Sequence, residues 1–118
     1  MNVSQRCNNP VNLMIPQPIG EAMGVYAFNE KTGLGYAYFT TPMAGWRAAF
    51  RQIKTDQKRG LSLKQFIFKF APPSENDTNT YLDFVRKEMN VDDSVPLSSL
   101  SCYALAGVMA KFEGYFEE

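Results

Sequence analysis

The chain has 118 residues, of which 45% are hydrophobic and 20% are charged, and its formal net charge is zero. This length and composition predict a single globular domain over residues 1–118 with one hydrophobic core. The balanced charge argues against nucleic acid as a partner. The sequence has no histidine, which excludes Ser-His and Cys-His nucleophile pairs and zinc binding through imidazole. We therefore predict no metal and no cofactor, and carboxylates as the acid–base groups.

Targeting and redox signals are few. No apolar run reaches the roughly 18 residues of a membrane span, and the N-terminal stretch lacks the charged-then-apolar pattern of a signal peptide. We expect neither feature. The two cysteines, Cys7 and Cys102, lie near opposite ends of the sequence. They are interpreted as free thiols in a reducing cytosol, and a disulfide between them is the alternative.

The N-terminal third predicts an extended segment followed by a hairpin. Pro10, Pro16 and Pro18 argue against a helix or a central strand before residue 18, which leaves a loop or an edge strand. Two aromatic-rich runs, GVYAF at 24–28 and LGYAYF at 34–39, then flank the Gly-containing turn NEKTG. This arrangement predicts an antiparallel hairpin.

A long helix should follow the hairpin. Thr41 is a good N-cap and Pro42 suits the first helical position, while Gly60 is a natural stop just beyond Arg59. Large apolar residues recur along this helix at spacings of three and four, which predicts one buried face. These residues are Met43, Trp46, Phe50 and Ile53.

Three shorter helices are predicted after the long one. The first runs from Ser62 to the stop at Pro72-Pro73, the second begins at Asp77 or Thr78, and the last begins near Ser98 or Ser99. Gly107 in the last helix would let another helix or strand approach closely. We expect one core containing Trp46, Phe50, Phe66, Phe70, Phe84, Leu105 and Met109. The predicted fold class is α+β, with a small antiparallel hairpin packed on about four helices.

Three segments together resemble a known family. They read NNPVNL at 8–13, GYAYFTTPMAGWRAAF at 35–50 and RGLSLKQFIFKFAPPSENDTNTY at 59–81. They resemble a small domain of bacteriophage and prophage virion, or structural, proteins whose members read roughly NNPGNIR, then an aromatic hairpin and a helix, then WAPPSENDT. Those relatives are similar to lysozyme-like and glucosaminidase-like peptidoglycan hydrolases. The most specific part of the resemblance is PPSENDT.

The resemblance implies a lysozyme-like fold and a role for Glu113. Lysozyme-like domains carry a catalytic Glu at the end of a helix, followed closely by Gly, and the comparable text here is VMAKFEG at 108–114. This text follows the hairpin, so the motif order is that of the glucosaminidase-like relatives in circular permutation, which requires neighbouring chain ends. Glu113 would then be the general acid, kept protonated by apolar neighbours. The alternative is a solvated Glu at a helix end.

The same resemblance suggests substrate-binding residues. Asn9 and Asn12 are candidates to hydrogen-bond N-acetyl groups, although Asn also suits turns. Glu75 and Asn76, in the SENDT run, are candidates to bind sugar hydroxyls or position water, and the alternative is a loop with a helix cap. Candidates to stack on a sugar face are Tyr36, Tyr26, Tyr38 and Trp46, and candidate second carboxylates are Glu21 and Glu30.

Two functions from different classes remain open. The first is a phage or prophage virion-associated, peptidoglycan-degrading protein, either a glycan-strand hydrolase or a lytic transglycosylase. The second is a catalytically inactive virion structural or wall-docking protein that keeps the fold, because NNPVNLM lacks the Gly and Arg of NNPGNIR. Both imply peptidoglycan strands and other virion proteins as partners. Both also imply a location in the virion, or in the host cytoplasm before assembly or release.

Overall fold

The computed structural model describes residues 1–14, 17, 25–26 and 35–118, with the backbone alone at 25–26. Within these residues the chain forms five α-helices and two short strands. In chain order they are α1 Val3–Arg6, β1 Val25–Tyr26, β2 Tyr38–Phe39, α2 Pro42–Lys58, α3 Leu63–Phe70, α4 Thr78–Met89 and α5 Cys102–Phe112. The α+β class is confirmed. The lysozyme-like relationship stays a prediction, because a short hairpin beside helices occurs in unrelated folds.

The N-terminal segment contains a helical turn, so the prediction of only loop or edge strand is wrong. Asn2 caps α1: its side chain accepts a hydrogen bond from the Gln5 N–H at 3.1 Å, and the Gln5 side chain accepts one from the Asn2 N–H at 3.0 Å. This reciprocal capping box satisfies N–H groups that a one-turn helix leaves unpaired. Pro10 lies after the turn, and Pro16 and Pro18 lie outside the described residues.

The two strands form the predicted antiparallel pair, although each contributes only two residues. The register places Val25 opposite Phe39 and Tyr26 opposite Tyr38. The predicted turn at residues 29–33 lies outside the described part of the chain. The Phe39 N–H donates to the carbonyl of Cys7 at 2.9 Å. The N-terminal segment is therefore tied to β2 by a backbone hydrogen bond.

Helix α2 begins and ends where predicted, but of the predicted buried face only Ile53 is fully buried, and Trp46 and Phe50 are partly buried. Thr41 accepts a hydrogen bond from the Ala44 N–H at 3.2 Å, and Gly60 turns the chain with a φ of +73°. Met43 is exposed, so its predicted burial is wrong. The buried residues of α2 are Ala44, Gly45, Ala48, Ala49, Ile53 and Asp56. Small side chains dominate this face because the N-terminal loop lies close against it.

Gly45 is the point of closest approach between that loop and α2. A Cβ built on Gly45 would lie 1.8 Å from the carbonyl oxygen of Asn8 and 2.9 Å from Cδ of Pro10. No side chain fits there unless backbone moves. The Asn-Asn-Pro segment is therefore seated directly on the first turns of α2.

Helices α3 and α4 confirm the predicted cap and stop signals. Ser62 caps α3 in a capping box with Gln65, and the helix ends at Phe70 just before the two prolines. Of the two predicted caps for α4, Asp77 is the one used, accepting a hydrogen bond from the Thr80 N–H at 3.2 Å. The PPSENDT segment thus forms the turn between α3 and α4.

Helix α5 begins later than predicted, because a 3-10 turn occupies Leu97–Ser99 and Ser101 serves as the cap. A Cβ built on Gly107 would meet nothing within 4 Å among the described residues, so none of them makes the close approach that this glycine would permit. Ala106 and Ala110 are the fully buried small residues of this helix.

One hydrophobic core joins the helices to β2. Its largest fully buried members include Phe39, Phe66, Leu105 and Met109. The other predicted core residues, Trp46, Phe50, Phe70 and Phe84, are partly buried and pack against it. Cys7 and Cys102 are buried and form no disulfide with each other, which agrees with the thiol interpretation, while the reducing cytosol stays a prediction. No helix in the described part of the chain is long and apolar enough to cross a membrane.

The two ends of the described chain are neighbours, as the permuted motif order requires. The side chain of Asn2 donates to the carbonyl of Gly114 at 2.7 Å, and that of Gln5 donates to the carbonyl of Tyr115 at 3.2 Å. These bonds fasten α1 to the end of α5. The predicted proximity is confirmed, and the permutation itself stays a prediction.

Candidate active site

Glu113 lies at the C-cap of α5, where Gly114 turns the chain with a φ of +85°. Both of its carboxyl oxygens are engaged. Nδ2 of Asn12 donates to Oε1 at 3.1 Å, and the Tyr81 hydroxyl donates to Oε2 at 3.0 Å. The N-terminal loop and α4 therefore hold the carboxyl from two sides. The predicted alternative of a freely solvated Glu does not match this geometry.

The surroundings of Glu113 favour its protonated form. Burial raises the pKa of the carboxyl above its ordinary value, and the hydrogen bonds from Asn12 and Tyr81 lower it only in part. The negative end of the α5 dipole also disfavours a carboxylate at this position. Burial, with the charge of Glu113, raises the pKa of Tyr81 well above its ordinary value, so its hydroxyl remains a donor.

The Glu113 carboxyl lines a small open cavity of about 100 Å³. Its walls are Asn12, Met14, Tyr36, Phe70, Ala71, Glu75, Asn76 and Glu113. A second cavity of about 330 Å³ shares Asn12, Met14, Phe70 and Glu75 with the first and extends to Gln17, Gln52 and Lys69. We call the two together the Glu113 groove. Five of the six residues predicted as sites line it: Asn12, Tyr36, Glu75, Asn76 and Glu113.

Tyr36 lies near both carboxylates of the groove, those of Glu113 and Glu75. It is held in place by a bridge between its backbone and that of Met14. Burial raises the pKa of its phenol, and the charges of Glu113 and Glu75 raise it further. The phenol therefore stays protonated at neutral pH and lies within electrostatic reach of both acids.

Glu75 and Asn76 are presented by the turn between α3 and α4. Both of their N–H groups donate to the carbonyl of Pro72, at 3.0 and 3.1 Å, and the Asn76 side chain donates to the same carbonyl at 3.3 Å. The turn leaves both side chains exposed on the groove wall. This geometry is therefore compatible with both interpretations of the SENDT run, the binding of sugar or water and a loop that caps the next helix.

Asn12 contributes an additional polar atom. Its backbone is left-handed, with a φ of +54°, which Asn tolerates better than most residues. Nδ2 is used by Glu113, while Oδ1 is buried and has no hydrogen-bond partner among the described residues. A buried polar atom without a partner costs stability.

Asn9 is placed away from the groove, so its predicted contact with substrate is not supported by its position. The side chain is fully buried. Nδ2 donates to the carbonyls of Leu13 and Ala37 at 3.0 Å each, and Oδ1 accepts from the Leu13 N–H at 2.9 Å. With its amide fully used by backbone groups, Asn9 fixes the loop that carries Asn12.

The remaining candidates lie elsewhere or outside the described residues. Trp46 packs among Phe50, Tyr115 and Phe116, and neither it nor Tyr38 lines the groove. Glu21, Glu30 and the side chain of Tyr26 lie outside the described part of the chain. In that part, no three Cys, Asp or Glu side chains come together as metal ligands.

Sequence reasoning did not single out Tyr81 and overlooked the polar support of the wider cavity. Buried Asp56 accepts hydrogen bonds from Lys69 at 2.9 Å and from Gln52 at 3.0 Å, and both donors line that cavity. Tyr81 stands at the end of the quoted family segment, which was a usable signal. Asp56 carried no comparable signal, because its partners lie on different turns and helices.

No protein-family model matches the chain. The chain is similar to Protein P5 of Pseudoalteromonas phage PM2, with 34% identity over 77 residues. The match covers 64% of this chain and 48% of that protein, so the chain spans about half the length of the curated relative. This similarity supports the phage setting that the family resemblance implied.

Proposed function

We propose that the protein is a phage or prophage virion-associated protein that cleaves the glycan strands of peptidoglycan, as a hydrolase or a lytic transglycosylase. The observation that carries the proposal is the Glu113 carboxyl, largely buried, raised in pKa and open to a polar groove. A general acid needs both a raised pKa and access to the glycosidic oxygen.

Glu113 would donate its proton to the glycosidic oxygen as the bond from the sugar C1 to that oxygen breaks. The bonds from Asn12 and Tyr81 use one lone pair on each carboxyl oxygen, which leaves capacity for the acidic proton. After transfer, the same two donors stabilise the carboxylate. The carboxylate can then take a proton from the attacking water, or from a hydroxyl of the same sugar in a transglycosylase.

The other groove residues suit sugar recognition. Tyr36 and Asn76 offer a hydroxyl donor and an amide for hydroxyl and N-acetyl groups. Glu75 is the second carboxylate on the wall and is suited to orient water. The wider cavity that continues from this point provides room for further sugars along the strand.

Replacing Glu113 by Gln tests the proposal, because it preserves shape while removing the acidic proton. Release of soluble fragments from purified peptidoglycan should fall by roughly 10²–10⁴-fold. The matched control is Glu117→Gln, which removes an exposed carboxyl four residues further on, outside the groove. Unchanged release by the Glu113 variant would reject the assignment. Mass spectrometry of the fragments distinguishes hydrolysis, which adds water, from transglycosylation, which does not.

A second candidate is a catalytically inactive virion structural or wall-docking protein. Met14 favours it: this side chain lines the groove at the position where the resembled family carries Arg, so a cation beside the carboxylates is lost. In this case the wild type releases no fragments but still sediments with peptidoglycan or assembles into virions. Substitution of Asn76 and Glu75 should then weaken wall binding.

A further inference from the structure

One exposed side of α2 concentrates positive charge in a chain whose net charge is zero. Arg47, Arg51, Lys54 and Lys58 line a groove of about 430 Å³ together with Phe50, Thr55 and Tyr103. The four cations follow each other at spacings of four, three and four residues, which places them on one stripe of the helix. No carboxylate lines this groove within the described residues. We call this surface the basic α2 face.

Three of the four cations of this face are not paired with acids among the described residues. Arg51, Lys54 and Lys58 form no ion pair there; Arg51 donates to Gln17, and Lys54 donates to the Tyr103 hydroxyl, each at 3.2 Å. The cations that do pair with carboxylates in the described part of the chain are Arg59, Lys69, Arg86 and Lys111. Arg51, Lys54 and Lys58 therefore keep their positive charge for an external partner.

Exposed apolar side chains border the basic α2 face. Met43, Tyr103 and Phe116 are 61%, 60% and 58% exposed. Tyr103 lines the groove itself, and Phe116 stacks on Trp46 with ring centroids 6.1 Å apart. Trp46 in turn lies one helical turn after Met43. Basic residues beside exposed aromatic and aliphatic ones are the composition that binds at the interface of an anionic membrane.

The aromatic rings near this face are arranged against stacking on nucleobases. Trp46 is stacked on Phe50 at 5.9 Å, and Phe50 makes an edge contact with Tyr103 at 4.7 Å. The Lys54 ammonium lies 5.1 Å from the centre of the Tyr103 ring. Binding of single-stranded nucleic acid relies on ring faces that bases can cover. Here the rings of Trp46 and Phe50 are packed against neighbouring rings, and one side of the Tyr103 ring is next to Lys54.

We propose that the basic α2 face binds the surface of a membrane that carries anionic phospholipids. The cations contact headgroup phosphates, while Met43, Tyr103 and Phe116 enter the interfacial layer. The proposal goes beyond the proposed function, because the basic α2 face and the Glu113 groove share no lining residue. It also needs no membrane-spanning helix.

Sedimentation of the full chain with vesicles tests this proposal. Vesicles of equal parts phosphatidylglycerol and phosphatidylcholine should bind the protein at low salt, pure phosphatidylcholine vesicles should not, and added salt should weaken binding. The double variant R51Q/K58Q should bind about 25-fold more weakly, at about fivefold for each lost charge. The matched control K64Q/K87Q removes two exposed cations from α3 and α4 and should bind as the wild type does.

The single tryptophan of the chain gives a second readout, because Trp46 lies between Met43 and Phe116. Its emission should shift to shorter wavelength on anionic vesicles, and Met43→Ser should reduce the shift without changing charge. Equal binding to both vesicle types, or equal loss in K64Q/K87Q, would overturn the proposal. If the protein bound DNA or a soluble phosphate polymer but no vesicles, the membrane proposal would be overturned, and that polymer would be the partner of this face.

Discussion

The hydroxyl of Tyr81 lies 3.0 Å from Oε2 of Glu113 and donates a hydrogen bond to it. Tyr81 is on α4, directly after the SENDT turn, and Glu113 closes α5. The bond therefore links the two segments that carry the predicted acid and the family motif. It also means that the pKa of Glu113 depends on a helix to which it does not belong.

Tyr81→Phe should raise the pKa of Glu113 further. The hydroxyl lowers this pKa by donating to the carboxylate, so its removal leaves only the Asn12 bond to oppose burial. The titration of the Glu113 side-chain carbonyl carbon by NMR measures the change. Tyr103→Phe is the control, because that hydroxyl interacts with Lys54 instead. A pKa that stays the same or falls in the Tyr81 variant would contradict the inferred role.

Glu113 should also make stability depend on pH. Its pKa is raised in the folded chain above the ordinary 4.5, so the folded state keeps a proton that the unfolded chain has already released. The stability that this group contributes is fully present below 4.5 and is lost as pH rises through the folded pKa. Gln does not titrate, so the variant Glu113→Gln lacks this pH-dependent contribution to stability.

The free energy of unfolding of the wild type, minus that of Glu113→Gln, should therefore decrease as pH rises from 4.5 through the folded pKa of Glu113. Urea denaturation of both proteins across this range measures the difference. The wild type alone is insufficient, because other carboxylates titrate as well. A difference that is flat, or that increases with pH, would show that burial does not raise this pKa.

Two glycines in helices should respond to alanine in opposite directions. At Gly45 a Cβ would collide with the Asn8 carbonyl, so Gly45→Ala should destabilise the protein by about 1–3 kcal/mol. At Gly107 a Cβ would meet open space, so Gly107→Ala should stabilise it by about 1 kcal/mol. Denaturant midpoints measure both changes. Equal effects at the two positions would contradict the seating of the N-terminal loop on α2.

Asp56 should matter far more to stability than a surface acid does. Its side chain is 1% exposed and accepts charge-assisted bonds from Arg59 and Lys69, so Asp56→Ala should cost about 1.5–3 kcal/mol. Asp83→Ala, which breaks an exposed pair with Arg86, should cost between about 0 and 1 kcal/mol. Chemical denaturation at neutral pH compares them. Similar losses would mean that the Asp56 cluster contributes little.

Local signals predicted the helices well, and long-range contacts explain what was missed. Thr41, Gly60, Ser62 and Asp77 act on backbone groups within a few residues, so their effects can be read from sequence. The one-turn α1 had such a signal in its Asn-x-x-Gln box, which the downstream prolines obscured. The inward face of α2 could not be read in the same way, because it depends on which loop covers it.

The residues of the candidate site also fall into those that the sequence predicted and those that depend on long-range packing. The family motifs singled out Asn12, Tyr36, Glu75, Asn76 and Glu113, which share one groove. Tyr81 as a hydrogen-bond donor, and Asn9 as a buried support of the loop, could not be told apart from ordinary core and binding residues. The spacing of a motif shows which residue types recur, but the direction of each side chain is set by the packing of distant segments.

The bond between Asn12 and Glu113 joins residues that are 101 positions apart. Closing so long a loop has an entropic cost that only slowly increases with length, but it requires both segments to be present. The carboxyl meets its partners only when α5 has packed beside the N-terminal loop and α4, so the site forms with the tertiary structure and not within any one helix.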